Sequence, residues 1–423
     1  MKTLTVAVVA ALHACGALVA QSDADRHAAD QHGDPLEAVR TWLARPAAQR
    51  GEQIPDVRLS ADQAEQVVGL VFVKLREEAR AARAAELKPV DAERRRPTNL
   101  LTVEAAGKQM KVYERTFGKA PERGHSLWIS MHGGGGAPAR VNDGQWHNQI
   151  ELYQPEEGIY VAPRAPSNTW NLWHEGHIDP LFDRLIENYV IDRGVDPNRV
   201  YLMGYSAGGD GVYQLAPRMA DRFAAASMMA GHPNGVPMLG LRNLPFMIWM
   251  GAKDGAYQRN EQAAAYGKKL DELAAKDPGG YVHETHIVAG KGHWMDREDR
   301  KAVPWMARHT REPWPKKVVW KQSGRLHERF YWLSLAAGAA RDGQTVRAEV
   351  DGQRIVLTTE NVTGLRLRLR DALVDLDEPL RIELDGKPLP AATVHRSVRA
   401  IYESLQQRLD PATAATAVLQ VQD

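Results

Sequence analysis

The sequence predicts an α/β chain in which a mostly parallel sheet flanked by helices follows an N-terminal helical segment and precedes a small β-rich domain. Three observations carry this prediction. From about Asn99 to Trp314, short apolar runs alternate with amphipathic helical stretches, the pattern of a parallel sheet covered on both faces. Ahead of that region the apolar residues recur at helical spacing. Beyond it helices largely stop, and Asp-Gly turns join short alternating runs. These shifts place boundaries at 1–20, 21–98, 99–315 and 316–423.

Residues 1–20 form the first element. Met1-Lys2 supplies a positive start, and Leu4 to Leu18 is apolar except for Thr5 and His13. Small residues then lead to Ala20, ahead of polar Gln21-Ser22-Asp23. This is the pattern of a secretory signal peptide, too short to span a bilayer as a stable helix. It predicts an exported, periplasmic or extracellular protein; a lipoprotein signal with Cys15 as the lipidated residue is the alternative. Cys15 is the only cysteine, so cleavage after Ala20 leaves no disulfide and the fold must rest on its core. No later stretch is apolar for long enough to cross a membrane.

A short helix is expected around Leu36 to Leu43, and a clearer one begins at Ser60. There Ser60 and Gln63 make a capping box, and Ala64, Val67, Val68, Val71, Phe72 and Leu75 form one apolar face. This segment is expected to pack beside the main domain. The run Arg94-Arg95-Arg96 before Pro97 has the form of a solvated linker. A formal net charge of +1 removes the electrostatic case for a nucleic-acid partner.

Strands are expected at Leu127 to Met131, Gly158 to Ala162, Val200 to Met203, Phe246 to Met250 and Tyr281 to Val288. Helices open at Asp179-Pro180, with Asp179 as the cap, and at Asn260. In the last region Arg347 to Thr358 reads as a hairpin turning at Asp351-Gly352, with a second turn at Asp385-Gly386. Leu365, Leu367 and Leu369 alternate with Arg366, Arg368 and Arg370, which predicts a buried face and a basic solvent face. One helix is expected near Val398 to Leu409.

Chemistry gathers at the ends of the strands. Gly204-Tyr205-Ser206-Ala207-Gly208 follows the Val200 to Met203 run and precedes a helix carrying Val212, Leu215 and Met219. Strand, sharp turn and helix expose a serine above a sheet, and the close approach of the two backbones requires small residues at Gly204 and Gly208. His132-Gly133-Gly134-Gly135-Gly136 follows Leu127 to Met131; Gly133, Gly134 and Gly135 can present N–H groups to a developing oxyanion, with Ala207 as partner. No G-K-[ST] follows and Pro138 sits where a helix should start, which argues against a phosphate loop; a plain flexible loop is the alternative. His132 is read as structural. A serine nucleophile needs an oriented base. Asp254 lies just past Phe246 to Met250, and His293 lies on a tight loop past Tyr281 to Val288, in the order that a parallel sheet requires.

Residues from about 110 to 310 thus resemble an α/β-hydrolase domain. They are most similar to the esterase branch that includes polyhydroxybutyrate depolymerases and feruloyl or acetyl-xylan esterases, and to prolyl-oligopeptidase-like catalytic domains. The chain departs from these in its N-terminal helical segment and C-terminal β domain. The resemblance implies Ser206 as nucleophile, His293 as base, Asp254 as acid, and oxyanion donors from Gly133–Gly135 and Ala207.

Trp170-Asn171-Leu172-Trp173-His174-Glu175-Gly176-His177 should overhang the same sheet edge. Trp170, Trp173, His174, Trp146 and Tyr205 are therefore candidate substrate-binding residues. His174, Glu175 and His177 do not have the helical H-E-x-x-H spacing, so no metal is expected, and the chemistry calls for no cofactor. The expected function is hydrolysis of a small-molecule or polymeric carboxylic ester through an acyl-enzyme. A prolyl-oligopeptidase-like peptidase and a catalytically inert carbohydrate-binding or scaffold protein are the alternatives. Oligomeric state is left open.

Overall fold

The computed structural model describes residues 34–51, 53–88 and 99–421. The segment 1–20 expected to be a signal peptide, Cys15 within it and the run Arg94-Arg95-Arg96 lie outside the described residues. Helices α1 (Pro35–Leu43), α2 (Ala47–Arg50) and α3 (Ala61–Ala82) open the described chain. Ser60 caps α3 as expected: the Gln63 N–H donates to Ser60 Oγ at 3.2 Å, and the Ser60 N–H donates to Gln63 Oε1 at 3.0 Å. Ala64, Val67, Val68, Val71 and Leu75 are buried along one stripe, and Phe72 packs at its margin.

The central sheet contains β1 (Leu100–Ala105), β2 (Lys108–Phe117), β3 (His125–Met131), β4 (Gly158–Arg164), β5 (Val195–Tyr205), β6 (Ala225–Met229), β7 (Phe246–Gly251) and β8 (His283–Val288). Their order is β1-β2-β4-β3-β5-β6-β7-β8. Strands β3 to β8 run parallel, and β1 and β2 add an antiparallel edge. Helices α4 (Ala139–Ile150), α5 (Ile178–Asp192), α6 (Ala207–Arg218), α7 (Arg259–Lys276) and α8 (Ala302–Met306) cover it. Alternation along β5 shows both faces at once. Val200 and Leu202 join the core under α5 and α6, whereas Tyr201, Met203 and Tyr205 join the one under α4 and α8. A strand buried on both sides reads as a continuous apolar run, which is why β3, β4, β5 and β7 were legible.

Strands β1, β2 and β6 were not expected. The first two carry Glu104, Lys108, Gln109 and Lys111 at a sheet edge, and β6 is Ala-Ala-Ser-Met-Met, of low intrinsic strand preference. Burial between β5 and β7 makes β6 a strand. The expected cap at Asp179 is also corrected. His177 occupies the N-cap of α5, and Asp179 turns inward, where it is ion-paired with Arg218 and accepts from His327 Nε2 at 2.8 Å. A buried cation competes better for this carboxylate than the helix end does.

The last region holds β9 (Lys317–Lys321), β10 (Arg329–Phe330), β11 (Leu333–Leu335), β12 (Thr345–Asp351), β13 (Arg354–Glu360), β14 (Leu365–Leu369), β15 (Arg381–Leu384), β16 (Lys387–Pro388), β17 (Ala417–Gln420) and helix α9 (Val398–Gln407). They form a five-stranded sheet β16-β15-β13-β12-β9 and a four-stranded sheet β10-β11-β14-β17. Hairpin turns fall at Asp351-Gly352 and Asp385-Gly386 as expected. The basic face of β14 is a solvent face only at Arg366, which is exposed. Arg368 is buried against Ser404 and Gln407 of α9, and Arg370 pairs with Glu65 of α3 at 2.8 Å. Helix α9 covers the rest of that face, and α3 and α1 pack on α9, with the rings of Trp42 in α1 and Tyr402 in α9 edge to face at 5.0 Å. No helix among the described residues is long and apolar enough to cross a membrane.

Candidate active site

Ser206 stands at the turn from β5 into α6 with φ 58° and ψ −120°. That is a strained conformation for a residue with a side chain. It is held by the Ser206 N–H donating to Met229 O at 2.9 Å and by tight packing on either side. A Cβ at Gly204 would overlap the Gly208 backbone, and one at Gly208 would overlap the Met131 carbonyl. The glycine at 208 thus answers to β3, a constraint that adjacency in sequence does not reveal.

Asp254 follows β7 and is 3% exposed. His293 follows β8 with its ring partly open to solvent. The two loops interlock: the Lys253 N–H donates to Lys291 O at 2.7 Å, and a Cβ at Gly251 would strike Gly292 O. The result is a continuous chain. His293 Nδ1 lies 2.7 Å from Asp254 Oδ2, and His293 Nε2 lies 2.9 Å from Ser206 Oγ. With the carboxylate accepting from Nδ1–H, Nε2 is left to accept the serine proton; the tautomer is assigned from the hydrogen-bond network.

The glycine segment after β3 lies against Ser206, with a Cβ at Gly133 falling 3.1 Å from Ser206 Cβ. Gly134 and Gly135 have φ of 111° and 114°, which glycine alone adopts readily. The Gly135 N–H is engaged: it donates to Asn142 Oδ1 at 2.9 Å, while Asn142 Nδ2 donates back to Gly135 O and Ala137 O. Among the described residues, the N–H groups of Gly134 and Ala207 have no protein acceptor. Asn142, fully buried in α4, was not anticipated. The signal for it was a polar residue on the inner face of a helix just after four glycines.

His132 is structural, as read from the sequence. Its Nδ1 meets Gly133 O at 2.5 Å and its Nε2 accepts from the Ala165 N–H at 3.2 Å. Burial drives its pKa down to about 4, so the ring stays neutral.

The candidate substrate residues separate. Trp170 is 64% exposed and packs beside Gly135 and Gly136 at the rim. Trp173 is fully buried, donating to His132 O at 2.8 Å, and offers no face to a ligand. Trp146 is likewise buried, its Nε1 donating to Ala162 O at 2.9 Å. Both fill the core because the loop and helix that carry them fold inward. His174 sits under Trp170, ring centroids 5.3 Å apart; burial, with Arg218 and Arg325 nearby, lowers its pKa to about 4. Tyr205 donates to His293 O at 2.7 Å and accepts from the Met295 N–H at 3.2 Å, so it clamps the histidine loop and is not a substrate wall. Two exposed aromatics outside the sequence expectations lie near these residues along the chain: Trp294 follows His293 and packs by Tyr205, and Tyr257 lies three residues past Asp254.

The strand order, the strained serine turn and the loops at the carboxyl ends of β3, β5, β7 and β8 define an α/β-hydrolase fold. No family model matches the chain. Among solved structures it is similar to a thermostable esterase at 19% identity, covering 50% of this chain and 62% of that one, TM-score 0.39. It is also similar to a poly(3-hydroxybutyrate) depolymerase from Bordetella parapertussis at 17% identity, covering 51% and 91%, TM-score 0.37. An acetyl xylan esterase from Aspergillus awamori is similar at 14% identity, covering 49% and 98%, TM-score 0.36. The likeness spans about half of this chain, so its chemistry has to be argued from its own site.

Proposed function

We propose that this chain is an exported serine hydrolase that cleaves carboxylic esters through an acyl-enzyme intermediate. The observation that carries this reading is the unbroken contact from Asp254 through His293 to Ser206 at the carboxyl edge of the sheet. A serine hydroxyl is a poor nucleophile until a base takes its proton. His293 Nε2 accepts that proton as Ser206 Oγ attacks the ester carbonyl, and Asp254 holds the ring in place and stabilises the imidazolium. The negative charge that develops on the carbonyl oxygen is met by the unpaired N–H groups of Gly134 and Ala207. His293 then returns the proton to the leaving alkoxide. A water activated by the same ring hydrolyses the acyl-enzyme and regenerates Ser206. Export rests on the pattern of residues 1–20.

The test uses purified protein, aryl esters of increasing acyl length, a fluorophosphonate probe and Ser206→Ala. A burst of phenolate and probe labelling at Ser206 are expected. In Ser206→Ala both should vanish, with kcat lowered by about a million-fold. Folded wild-type protein that leaves Ser206 unlabelled and turns over no ester would overturn the reading.

A further inference from the structure

Where the four-stranded C-terminal sheet closes on the hydrolase body, five arginines are buried together. Arg222 and Arg311 come from the body, Arg329 and Arg368 from the sheet, and Arg408 from the end of α9. Carboxylates account for three of them. Arg311 Nη2 meets Asp410 Oδ2 at 2.7 Å, Arg408 Nη1 meets Asp221 Oδ2 at 2.5 Å, and Arg222 Nε lies 2.7 Å from Asp183 Oδ1, a charge contact without hydrogen-bond alignment. Nearby Glu187 is committed to Arg83 at 3.0 Å. Among the described residues, neither Arg329 nor Arg368 has a carboxylate oxygen within 4.0 Å.

The hydrogen bonding of these two guanidinium groups is also incomplete. Arg329 Nη2 donates to Thr413 O at 2.8 Å; Arg368 donates from Nη1 to Gln407 Oε1 at 3.1 Å and from Nη2 to Ser404 Oγ at 2.5 Å. Arg329 Nε, Arg329 Nη1 and Arg368 Nε remain, buried and without a partner. The sheet register puts both side chains on one face. Arg329 is opposite Ser334, Ser334 is opposite Arg366, and Arg368 lies two residues further along β14. Helix α9 and the turn at Pro411–Thr413 close over that face.

Arginine does not shed its charge inside a protein. Water can satisfy a stranded N–H but leaves the charge unbalanced, whereas an anion answers both needs. We propose that this joint holds a small inorganic anion, a halide or a compact oxyanion, between Arg329 and Arg368, and that the anion ties the C-terminal sheet to the hydrolase body. Burial and the neighbouring arginines pull both guanidinium groups below their usual basicity, outweighing the opposite pull of Asp221 on both and of Asp410 on Arg329.

Two measurements on the full chain test this. Crystals grown in bromide, and separately in sulfate, should show an anomalous bromide peak or tetrahedral density in hydrogen-bond reach of both guanidinium groups. In solution, chloride, sulfate or phosphate replaces gluconate at fixed ionic strength. Tm should then rise by roughly 2 °C for each tenfold increase in the preferred ion once the site fills. Whichever ion gives the larger rise assigns the site to halide or oxyanion. Arg368→Gln should flatten the response; if that variant fails to fold, the crystallographic result on wild-type protein decides. Ordered water alone at the site in both crystal conditions, with a Tm that is the same in every anion, would sink the proposal.

Discussion

Trp170 and Trp173 stand three residues apart and make opposite predictions. Trp173 fills the core beneath the glycine segment, so Trp173→Ala should cost about 3–5 kcal/mol in denaturant unfolding and reduce activity through the loop it supports. Trp170 is exposed on the rim. Trp170→Ala should leave stability within about 0.5 kcal/mol and raise KM for bulky esters in steady-state assays. Equal loss of stability in the two variants would contradict the rim assignment. Asp210, one helical turn past Ser206, makes a prediction about pH. Burial raises its carboxyl to about 6, against the pull of the His232 N–H at 2.6 Å and of Arg259. The unfolded chain ionises this group near 4 and the folded chain near 6, so its burial lowers stability as pH rises between those values. Asp210→Asn should therefore stabilise the protein above pH 6, on the order of 1–3 kcal/mol, and have little effect below pH 4.

At the scale of elements, the glycine segment and α4 act as one unit through Asn142. The sequence displayed the glycines directly, and two of them, Gly134 and Gly135, take φ near +110°. It did not display Asn142, whose role depends on where a helix lands after the chain has turned. Asn142→Ala strands the buried Gly135 N–H and frees the loop. Unfolding free energy should fall by about 1–3 kcal/mol, and kcat should fall by roughly 10- to 1000-fold with a smaller change in KM. An unchanged kcat in a variant destabilised to that extent would separate the clamp from catalysis. Strand β6 shows the same division: its alanines become a strand only because β5 and β7 enclose it.

Across the whole molecule, buried ion pairs join regions far apart in sequence. Burial alone would raise the Asp179 and Asp221 carboxyls, but Arg218 with His327, and Arg408 with its neighbours, hold each at about 2. A depressed carboxylate contributes stability that is complete above its unfolded value near 4 and is lost as pH falls through 2. Urea midpoints should accordingly drop steeply between pH 4 and 2. Asp221→Asn should remove part of that drop and should lower stability at pH 7, because Arg408 is left buried without its partner.

What the sequence determined by itself was local or periodic. Most of the parallel strands, the capping box of α3, the serine turn, and the order of Ser206, Asp254 and His293 past the ends of three strands follow from spacing, steric demand and burial on two faces. Only the tertiary structure decided which side chains face inward. It turned Trp146, Trp173 and Arg368 into the interior, set Asp179 against Arg218 instead of a helix end, and made Tyr205 a clamp on the histidine loop. The physical reason is that a residue's burial and partner are properties of the surface folded against it. For these residues that surface comes from segments tens of positions away, whose arrival no local pattern encodes.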